Sequence, residues 1–175
     1  MKFQPRKTIQ LPQDQYIGRR IYFVTICCEN RRAVFANPSN AKALLQDLTS
    51  VSQKMNFLLH AYCVMPDHLH ILVEGQSTDC DLRLHVTKLK QKTGYSLRGA
   101  AEGDLWQKRY YDHILRKAED SDSIAWYIWM NPVRQGLVSK PEQYPFSGSC
   151  TVNWPPTGAK PHEWTPPWKS LPRQT

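Results

Sequence analysis

The stretch that decides the fold is Val64-Met65-Pro66-Asp67-His68-Leu69-His70-Ile71-Leu72-Val73-Glu74. Its Met65-Pro66-Asp67 segment indicates a tight turn. After the turn the residues alternate in the way that is typical of a β-strand. One face of this strand is apolar, with Leu69, Ile71 and Val73, and the opposite face carries His68, His70 and Leu72. The apolar face is expected to lie on the core.

The two histidines share one face of the predicted strand, with Cβ atoms roughly 7 Å apart. Imidazoles at this spacing can bind one divalent metal ion through ring nitrogens about 2.0–2.2 Å from it. Two histidines that only pack or hydrogen-bond at a surface would have the same spacing. The His-x-His pattern of His68 and His70 therefore leaves a metal pair and a structural pair both open.

The composition points to one folded, basic domain. The chain has 175 residues, 41% of them hydrophobic, and a formal net charge of +8. This balance favours a polyanionic partner, with nucleic acid as the first candidate. The odd number and scatter of the five cysteines favour reduced thiols in a cytoplasmic protein. No signal peptide and no membrane-spanning stretch are predicted.

The remaining elements follow from the same kind of pattern. Strands are predicted at 21–28, 57–64 and in the second half of 106–116, besides the histidine strand. Helices are predicted from Pro38, over 82–97 with Asp79 or Asp81 as the N-cap, and from the acidic run 119–122 to Met130. Asn131-Pro132 is expected to end the last helix. The order predicts an α+β fold, in which an antiparallel sheet has two helices on one face and leaves the other face for a ligand and the third helix.

Three segments are expected along the chain. Residues 1–16 are interpreted as a basic N-terminal arm and residues 17–149 as the folded domain. Residues 150–175 form a tail rich in proline and tryptophan that cannot be regular helix or sheet. The tail is expected either to be disordered or to lie over the domain through Trp154, Trp164 and Trp168.

The predicted second helix has a one-sided charge pattern. No acidic residue occurs between Asp81 and Glu102, whereas Lys88, Lys90 and Lys92 follow one another closely. We interpret this run as a surface that faces phosphates. An ordinary exposed helix face remains the alternative.

The predicted third helix carries a tyrosine with polar neighbours. Ile124, Ala125, Ile128 and Trp129 form its apolar arc, and Ser123, Tyr127 and Asn131 form an adjacent polar stripe at i, i+4 spacing. The spacing alone favours a tyrosine at the edge of the core with its hydroxyl in water. Asn131 could offer an amide oxygen to a hard cation.

Four blocks resemble the REP-associated tyrosine transposases, within the insertion-sequence-200-like single-tyrosine HUH transposases of bacteria. They are Pro66-Asp67-His68-Leu69-His70; Trp106-Gln107 with Asp112-His113-x-x-Arg116; Tyr127-Ile128-x-x-Asn131-Pro132-Val133-x-x-Gly136-Leu137-Val138; and Tyr144-Pro145-x-Ser147. The His-x-His alone is unspecific, but the order and spacing of the four blocks are specific. The resemblance covers about residues 17–149.

The resemblance implies a ferredoxin-like or RRM-like sheet with the histidines on a central strand and a catalytic tyrosine on a late helix. Tyr127 occupies that position, with Tyr110 and Tyr111 as lower-ranked rivals. The implied metal ligands for Mg²⁺ or Mn²⁺ are His68, His70 and Asn131, and His113 is a possible auxiliary acid or base. The implied activity is nicking and rejoining of single-stranded DNA through a 5′-phosphotyrosine.

The implied partners are single-stranded DNA hairpins, namely the repetitive extragenic palindromes. The implied location is the bacterial cytoplasm, at the nucleoid. The protein is expected to act as a monomer or a homodimer. The predicted DNA contacts are Arg19, Arg20, Lys88, Lys90, Lys92, Lys108, Arg109 and Arg116. The main alternative is an RRM-like module that binds single strands and cuts nothing. A phosphodiesterase with paired His motifs fits less well, because the chain has only one such pair. A structural zinc protein also fits less well, because two histidines without clustered cysteines cannot complete a tetrahedral site.

Overall fold

The computed structural model describes residues 12–116, 119–153 and 163–167, and its centre is a five-stranded antiparallel sheet. The strand order is β4-β1-β3-β2-β5. The strands are β1 (Ile21–Cys27), β2 (Phe57–Met65), β3 (His68–Gly75), β4 (Tyr111–Ile114) and β5 (Ser147–Gly148). The predicted α+β fold is confirmed, and β3, the histidine strand, is central.

Four helices accompany the sheet in the described part of the chain: α1 (Pro38–Lys54), α2 (Leu82–Ser96), α3 (Ser121–Trp129) and the short α4 (Asn131–Arg134). Side-chain caps fix the three longer helices at their first turns. Asn37 accepts a hydrogen bond from the Ser39 amide, Asp81 from the Arg83 and Leu84 amides, and Asp120 from the Asp122 and Ser123 amides. Of the two predicted caps of α2, Asp81 is therefore the one used.

The pairing register fixes which residues share a face. On β3, His70 lies opposite Thr25 of β1 and Cys63 of β2. β2 contains an irregularity between Leu59 and Ala61 that interrupts the alternation. As a result Leu59 packs on the same side as α1 and α2, whereas Ala61 and Cys63 pack on the side of α3.

The sheet separates two hydrophobic clusters. The larger cluster lies under α1 and α2 and contains Leu69, Ile71 and Val73, as the alternation predicts. The smaller cluster lies under α3 and contains Phe23, Leu72, Tyr127 and Trp129, among others. His68 and His70 belong to the face of the smaller cluster, because they alternate with the three residues of the larger one.

The chain departs from expectation after α3. As predicted, α3 ends before Asn131-Pro132, but a second short helix that was not predicted, α4, begins at Asn131. Proline is tolerated in the first turn of a helix, where its missing N–H needs no partner. Tyr16, the last residue of the predicted arm, is buried in the larger cluster, and residues 1–11 lie outside the described residues.

All five cysteines lie in the described ranges and are free thiols. Among the described residues, no helix combines the length and apolar character that a membrane crossing requires.

Candidate active site

His68 and His70 converge on one point. Their Nε2 atoms lie 3.0 Å apart, and the ring planes are nearly perpendicular at 85°. Two neighbouring ligands of an octahedral ion with nitrogens about 2.1 Å from the metal would also be about 3 Å apart. The two imidazoles therefore fit a divalent cation. The described residues contain no group of three or more His, Cys, Asp or Glu side chains placed to hold a metal.

The other ring nitrogen of each histidine has a partner that orients the ring. The Thr25 hydroxyl lies 2.7 Å from Nδ1 of His70, and Asp67 Oδ1 lies 2.5 Å from Nδ1 of His68. Arg31 in turn forms an ion pair with Asp67 at 3.2 Å. Metal-binding histidines commonly have such a hydrogen bond at the second nitrogen, because it fixes the tautomer and leaves Nε2 as the ligand.

Electrostatics keep His68 available as a neutral ligand. Burial lowers its pKa below the ordinary value, although the Asp67 carboxylate opposes this shift. Burial would raise the pKa of Asp67, but the hydrogen bond and charge of His68 and the nearby Arg31 lower it overall. At neutral pH the pair is therefore a neutral imidazole beside an ionised carboxylate.

Tyr127 lies on the same side of the sheet as the histidines. Phe23 joins them: its ring centre is 5.6 Å from that of His70 and 6.2 Å from that of Tyr127. Tyr127 is 9% exposed, so its ring belongs to the core under α3. The spacing alone predicted a tyrosine at the edge of the core with its hydroxyl in water, whereas the structure buries the residue.

Arg134 modifies the phenol of Tyr127, and sequence reasoning missed it. Its guanidinium carbon lies 4.1 Å from the centre of the tyrosine ring, and its Nη2 donates to the Tyr127 carbonyl oxygen. Burial raises the pKa of Tyr127, whereas the charge of Arg134 and its hydrogen bond to the phenol lower it. The signal was the i, i+7 spacing, which places both residues on one side of a continued helix.

Asn131 closes the end of the tyrosine helix. Its Nδ2 donates to the carbonyl oxygens of Tyr127 and Ile128, both at 3.1 Å, and the residue is 7% exposed. These contacts fix the amide relative to Tyr127. The role of Asn131 as a metal ligand stays a prediction.

The two rival tyrosines lie on opposite faces. Tyr111 shares the face of Tyr127, with its ring centre 6.2 Å from Phe23, and burial raises its pKa. Tyr110 packs against the larger cluster, where the Lys90 ammonium lies 5.3 Å from its ring centre. The face of Tyr110 therefore argues against it as the nucleophile.

The tail contributes Trp164 to this face. Its ring centre lies 5.1 Å from Tyr127, 5.4 Å from Phe23 and 6.3 Å from His113. Of the two interpretations of the tail, packing over the domain holds for Trp164. Trp154 and Trp168 lie outside the described residues.

His113 is held by a carboxylate at the rim of the face. Its Nε2 lies 2.8 and 3.0 Å from the two oxygens of Glu119, and the Arg116 amide donates to the same carboxylate. Although burial opposes it, the hydrogen bonds from Arg116, His113 and the Trp164 indole hold the pKa of Glu119 below its usual value. Glu119 is thus an ionised acceptor next to the tryptophan.

The predicted DNA contacts fall in three places. Arg19, Arg20 and Arg116 line one groove at the ends of β1 and β4, which Glu119 also lines. Lys88 and Lys92 line a recess between α1 and α2 on the far side of the sheet. Lys90 instead donates to the carbonyl oxygens of Gln107 and Lys108, and Lys108 and Arg109 are exposed just before β4. The lysines of α2 therefore do not form a single face.

The chain is similar to a known protein family and to several individual proteins. The family described as "Transposase IS200 like" matches residues 18–131. The REP-associated tyrosine transposase of Escherichia coli K12 is 26% identical over 132 residues, which are 75% of this chain and 78% of that protein. An uncharacterized protein of Haemophilus influenzae is 26% identical over 159 residues, covering 73% of this chain and 88% of that protein.

A solved structure shares the fold. It is described as a REP-associated tyrosine transposase bound to a REP hairpin, and it matches with a TM-score of 0.66 at 24% identity. The match covers 84% of this chain and 82% of that chain.

Proposed function

The chain belongs to the IS200-like transposase family, and from that premise we propose that it nicks and rejoins single-stranded DNA at hairpins through a covalent phosphotyrosine. The observation that carries the proposal is the shared face of Tyr127, His68 and His70, linked through Phe23. A nucleophile and a pair of imidazoles on one face can act on the same phosphate.

Tyr127 would be the nucleophile. Its oxygen attacks the scissile phosphorus, the bond from phosphorus to the 3′ oxygen breaks, and a 5′-phosphotyrosine and a free 3′-hydroxyl result. Because the phenol is protonated at rest, its proton passes to a base as the attack begins, for which His113 is the candidate, and the departing 3′ oxygen takes up a proton to become the hydroxyl. The Arg134 guanidinium over the ring favours the phenolate and so lowers the cost of this step.

His68 and His70 would hold Mg²⁺ or Mn²⁺, which when bound supplies positive charge to the non-bridging oxygens of the scissile phosphate. Thr25 and Asp67 keep the two Nε2 atoms turned to one point, and Asn131 is the proposed third ligand. His113 is the proposed auxiliary base or acid, because its ring lies against the same tryptophan as Tyr127.

The reverse reaction would rejoin strands. The phosphotyrosine preserves the energy of the broken phosphodiester, so a 3′-hydroxyl of another end can attack the phosphorus and release Tyr127. The proton then returns to the phenol. This accounts for strand transfer without a nucleotide cofactor.

The proposed substrate is a hairpin of a repetitive extragenic palindrome. Support comes from a similar protein that is a REP-associated tyrosine transposase and from a transposase of the same fold that was solved with a REP hairpin bound. The groove with Arg19, Arg20 and Arg116 would follow phosphates of the strand, in keeping with the net charge of +8. One protomer contains every residue named, which suits a monomer as well as a homodimer.

The test is a covalent adduct. A single-stranded hairpin oligonucleotide with an end label is incubated with the protein and Mn²⁺, and a denaturing gel is scanned for labelled protein. Wild type is expected to form the adduct and Tyr127→Phe to lose it, while Tyr111→Phe, on the same face, retains it. The substitutions His68→Ala and His70→Ala are expected to abolish it as well.

Two outcomes would contradict the proposal. An adduct that survives Tyr127→Phe would move the nucleophile to another residue. Tight hairpin binding by wild type without any adduct at any metal concentration would favour the RRM-like binding module instead.

A further inference from the structure

Trp164 fills a slot between three separate elements. Phe23 comes from β1, His113 from β4 and Tyr127 from α3, and their ring centres lie 5.1 to 6.3 Å from that of the indole. Trp164 is only partly buried, although it touches Phe23, which is fully buried. The slot is thus lined with aromatic rings and sized for a flat bicyclic group, and it adjoins the tyrosine nucleophile.

The carboxylate of Glu119 accepts hydrogen bonds at the edge of the slot. An ionised carboxylate only accepts hydrogen bonds and has about four lone-pair sites. The His113 ring and the Arg116 amide each take one, and the indole takes another. A group that replaces the indole therefore needs a flat apolar ring and one or two N–H donors on one edge.

We propose that this slot binds an unpaired guanine of the substrate strand, with Phe23 and Tyr127 packing on the ring and Glu119 accepting from its Watson–Crick edge. The inference rests on the proposed function, since it takes the strand at Tyr127 to be single-stranded DNA. Trp164 then occupies the place of a base in the DNA-free protein. Glu119 becomes a residue that determines sequence specificity.

Guanine fits the acceptor better than the other bases. Its N1–H and N2 amino group form two adjacent donors, which match the two lone-pair sites that His113 and Arg116 leave free. Adenine has the same size, and its N6 amino group could donate one hydrogen bond. Its N1 atom, however, is an acceptor and would face the second carboxylate oxygen, so the two lone pairs would repel each other. Cytosine and thymine are single rings and would leave part of the slot empty.

The test measures binding without cleavage. The probes are short fluorescein-labelled oligothymidylates that carry one central dG, dA or dC, titrated with full-length protein in the presence of a chelator. Trp164→Ala is expected to bind the dG probe about tenfold more tightly than wild type, because the indole no longer occupies the aromatic slot that the base would enter. The same variant is expected to prefer dG over dA by at least about fivefold.

A second substitution tests the carboxylate. Trp164→Ala/Glu119→Gln replaces one acceptor by a donor, so the amide matches the N6 donor and N1 acceptor of adenine. We expect its preference to reverse from dG to dA. Val152→Ala, an exposed residue of the same tail segment, serves as the matched control and is expected to leave binding of all probes unchanged.

The slot and the cleavage proposal fail separately. Tyr127→Phe retains a ring in the slot, so in the Trp164→Ala background it is expected to keep the dG preference whether or not any adduct forms in wild type. Equal affinity of Trp164→Ala for dG and dA probes would overturn the inference, as would affinity for dG no higher than that of wild type. If circular dichroism shows that Trp164→Ala is unfolded, Trp164→Phe is used in its place. This variant must then show the same preference for dG over dA.

Discussion

His70 is oriented by a hydroxyl group on the neighbouring strand. Replacing Thr25 by valine keeps the shape but removes the oxygen that lies 2.7 Å from Nδ1. Because losing such a partner typically weakens metal binding 10- to 100-fold, the Mn²⁺ concentration needed for half-maximal adduct should rise by about tenfold or more. The measurement is a metal titration of adduct formation.

The control for this substitution is Thr87→Val, which removes a hydroxyl that bonds only the Arg83 carbonyl oxygen on α2. It should leave the metal titration unchanged. An unchanged titration for Thr25→Val would show that the hydroxyl does not set the orientation of His70.

His85 makes stability depend on pH. Burial lowers its pKa to about 4, and its buried Nδ1 has no hydrogen-bond partner among the residues that the structure describes, so a second N–H would stay unsatisfied there. The unfolded chain, with an ordinary value of 6.5, therefore binds the proton first as the pH falls. The contribution of His85 to the free energy of unfolding is therefore fully present above about pH 6.5. It is lost as the pH falls towards 4, and the total loss is roughly 3 kcal/mol.

Urea unfolding at pH 7 and at pH 4.5 measures this effect. The difference between the two conditions should be smaller in His85→Gln than in wild type, because glutamine does not titrate. The protonation of carboxylates such as Asp67 and Glu119, whose pKa values are lowered in the folded protein, also reduces folding stability at acidic pH. Because this loss is the same in both proteins, the comparison isolates His85. An identical pH difference in the two proteins would contradict the assignment.

At the scale of elements, α3 depends on the cap that begins it. Asp120 accepts from the Asp122 and Ser123 amides, and from the Ser123 hydroxyl at 2.7 Å. Asp120→Ala should lower the free energy of unfolding by about 1 kcal/mol, measured by urea titration. Asp122→Ala, which removes an exposed acid from the same turn, should cost less, because only the helix dipole interaction is lost. Equal losses would mean that the charge of Asp120 matters rather than its hydrogen bonds.

The sequence predicted the elements whose pattern is local. The alternation after Pro66 predicted β3 and its two faces, and the cap and apolar stripe predicted α2. The prediction that the lysines of α2 form one surface was wrong. Two residues apart on a helix, Lys90 points about 160° away from Lys88. The bulge in β2, the two-residue β5 and the position of Trp164 depend on contacts across the chain, and no local period encodes them.

The candidate site was predictable in part for the same reason. His68 and His70 are two residues apart on one strand, so their convergence follows from strand geometry. The meeting of Tyr127 with that strand required knowledge of how α3 crosses the sheet, and only the family resemblance supplied it. Glu119, placed in sequence as an acid near a helix start, acts instead on His113 and Trp164.

At the scale of the whole molecule, two of the three groups of predicted DNA contacts lie well apart from each other. The groove of Arg19, Arg20 and Arg116 opens at the strand ends and also includes Glu119, which contacts His113 and the Trp164 that packs on Tyr127. The recess with Lys88 and Lys92 lies between α1 and α2, on the opposite side, where Lys92 also pairs with Asp47 at 3.3 Å. A strand that reaches Tyr127 can follow the first group without crossing the sheet.

This division predicts how hairpin affinity depends on salt. Each phosphate contact that is lost should reduce the slope of log affinity against log salt by about 1. Arg19→Ala and Arg116→Ala should each reduce it, whereas Lys88→Ala removes the same charge on the far side and should leave the slope nearly unchanged. Binding is measured by anisotropy of a labelled hairpin over a salt series without divalent metal. Equal reductions for Arg116→Ala and Lys88→Ala would mean that the DNA wraps around to the helical side, since net charge alone does not change the number of phosphates in contact.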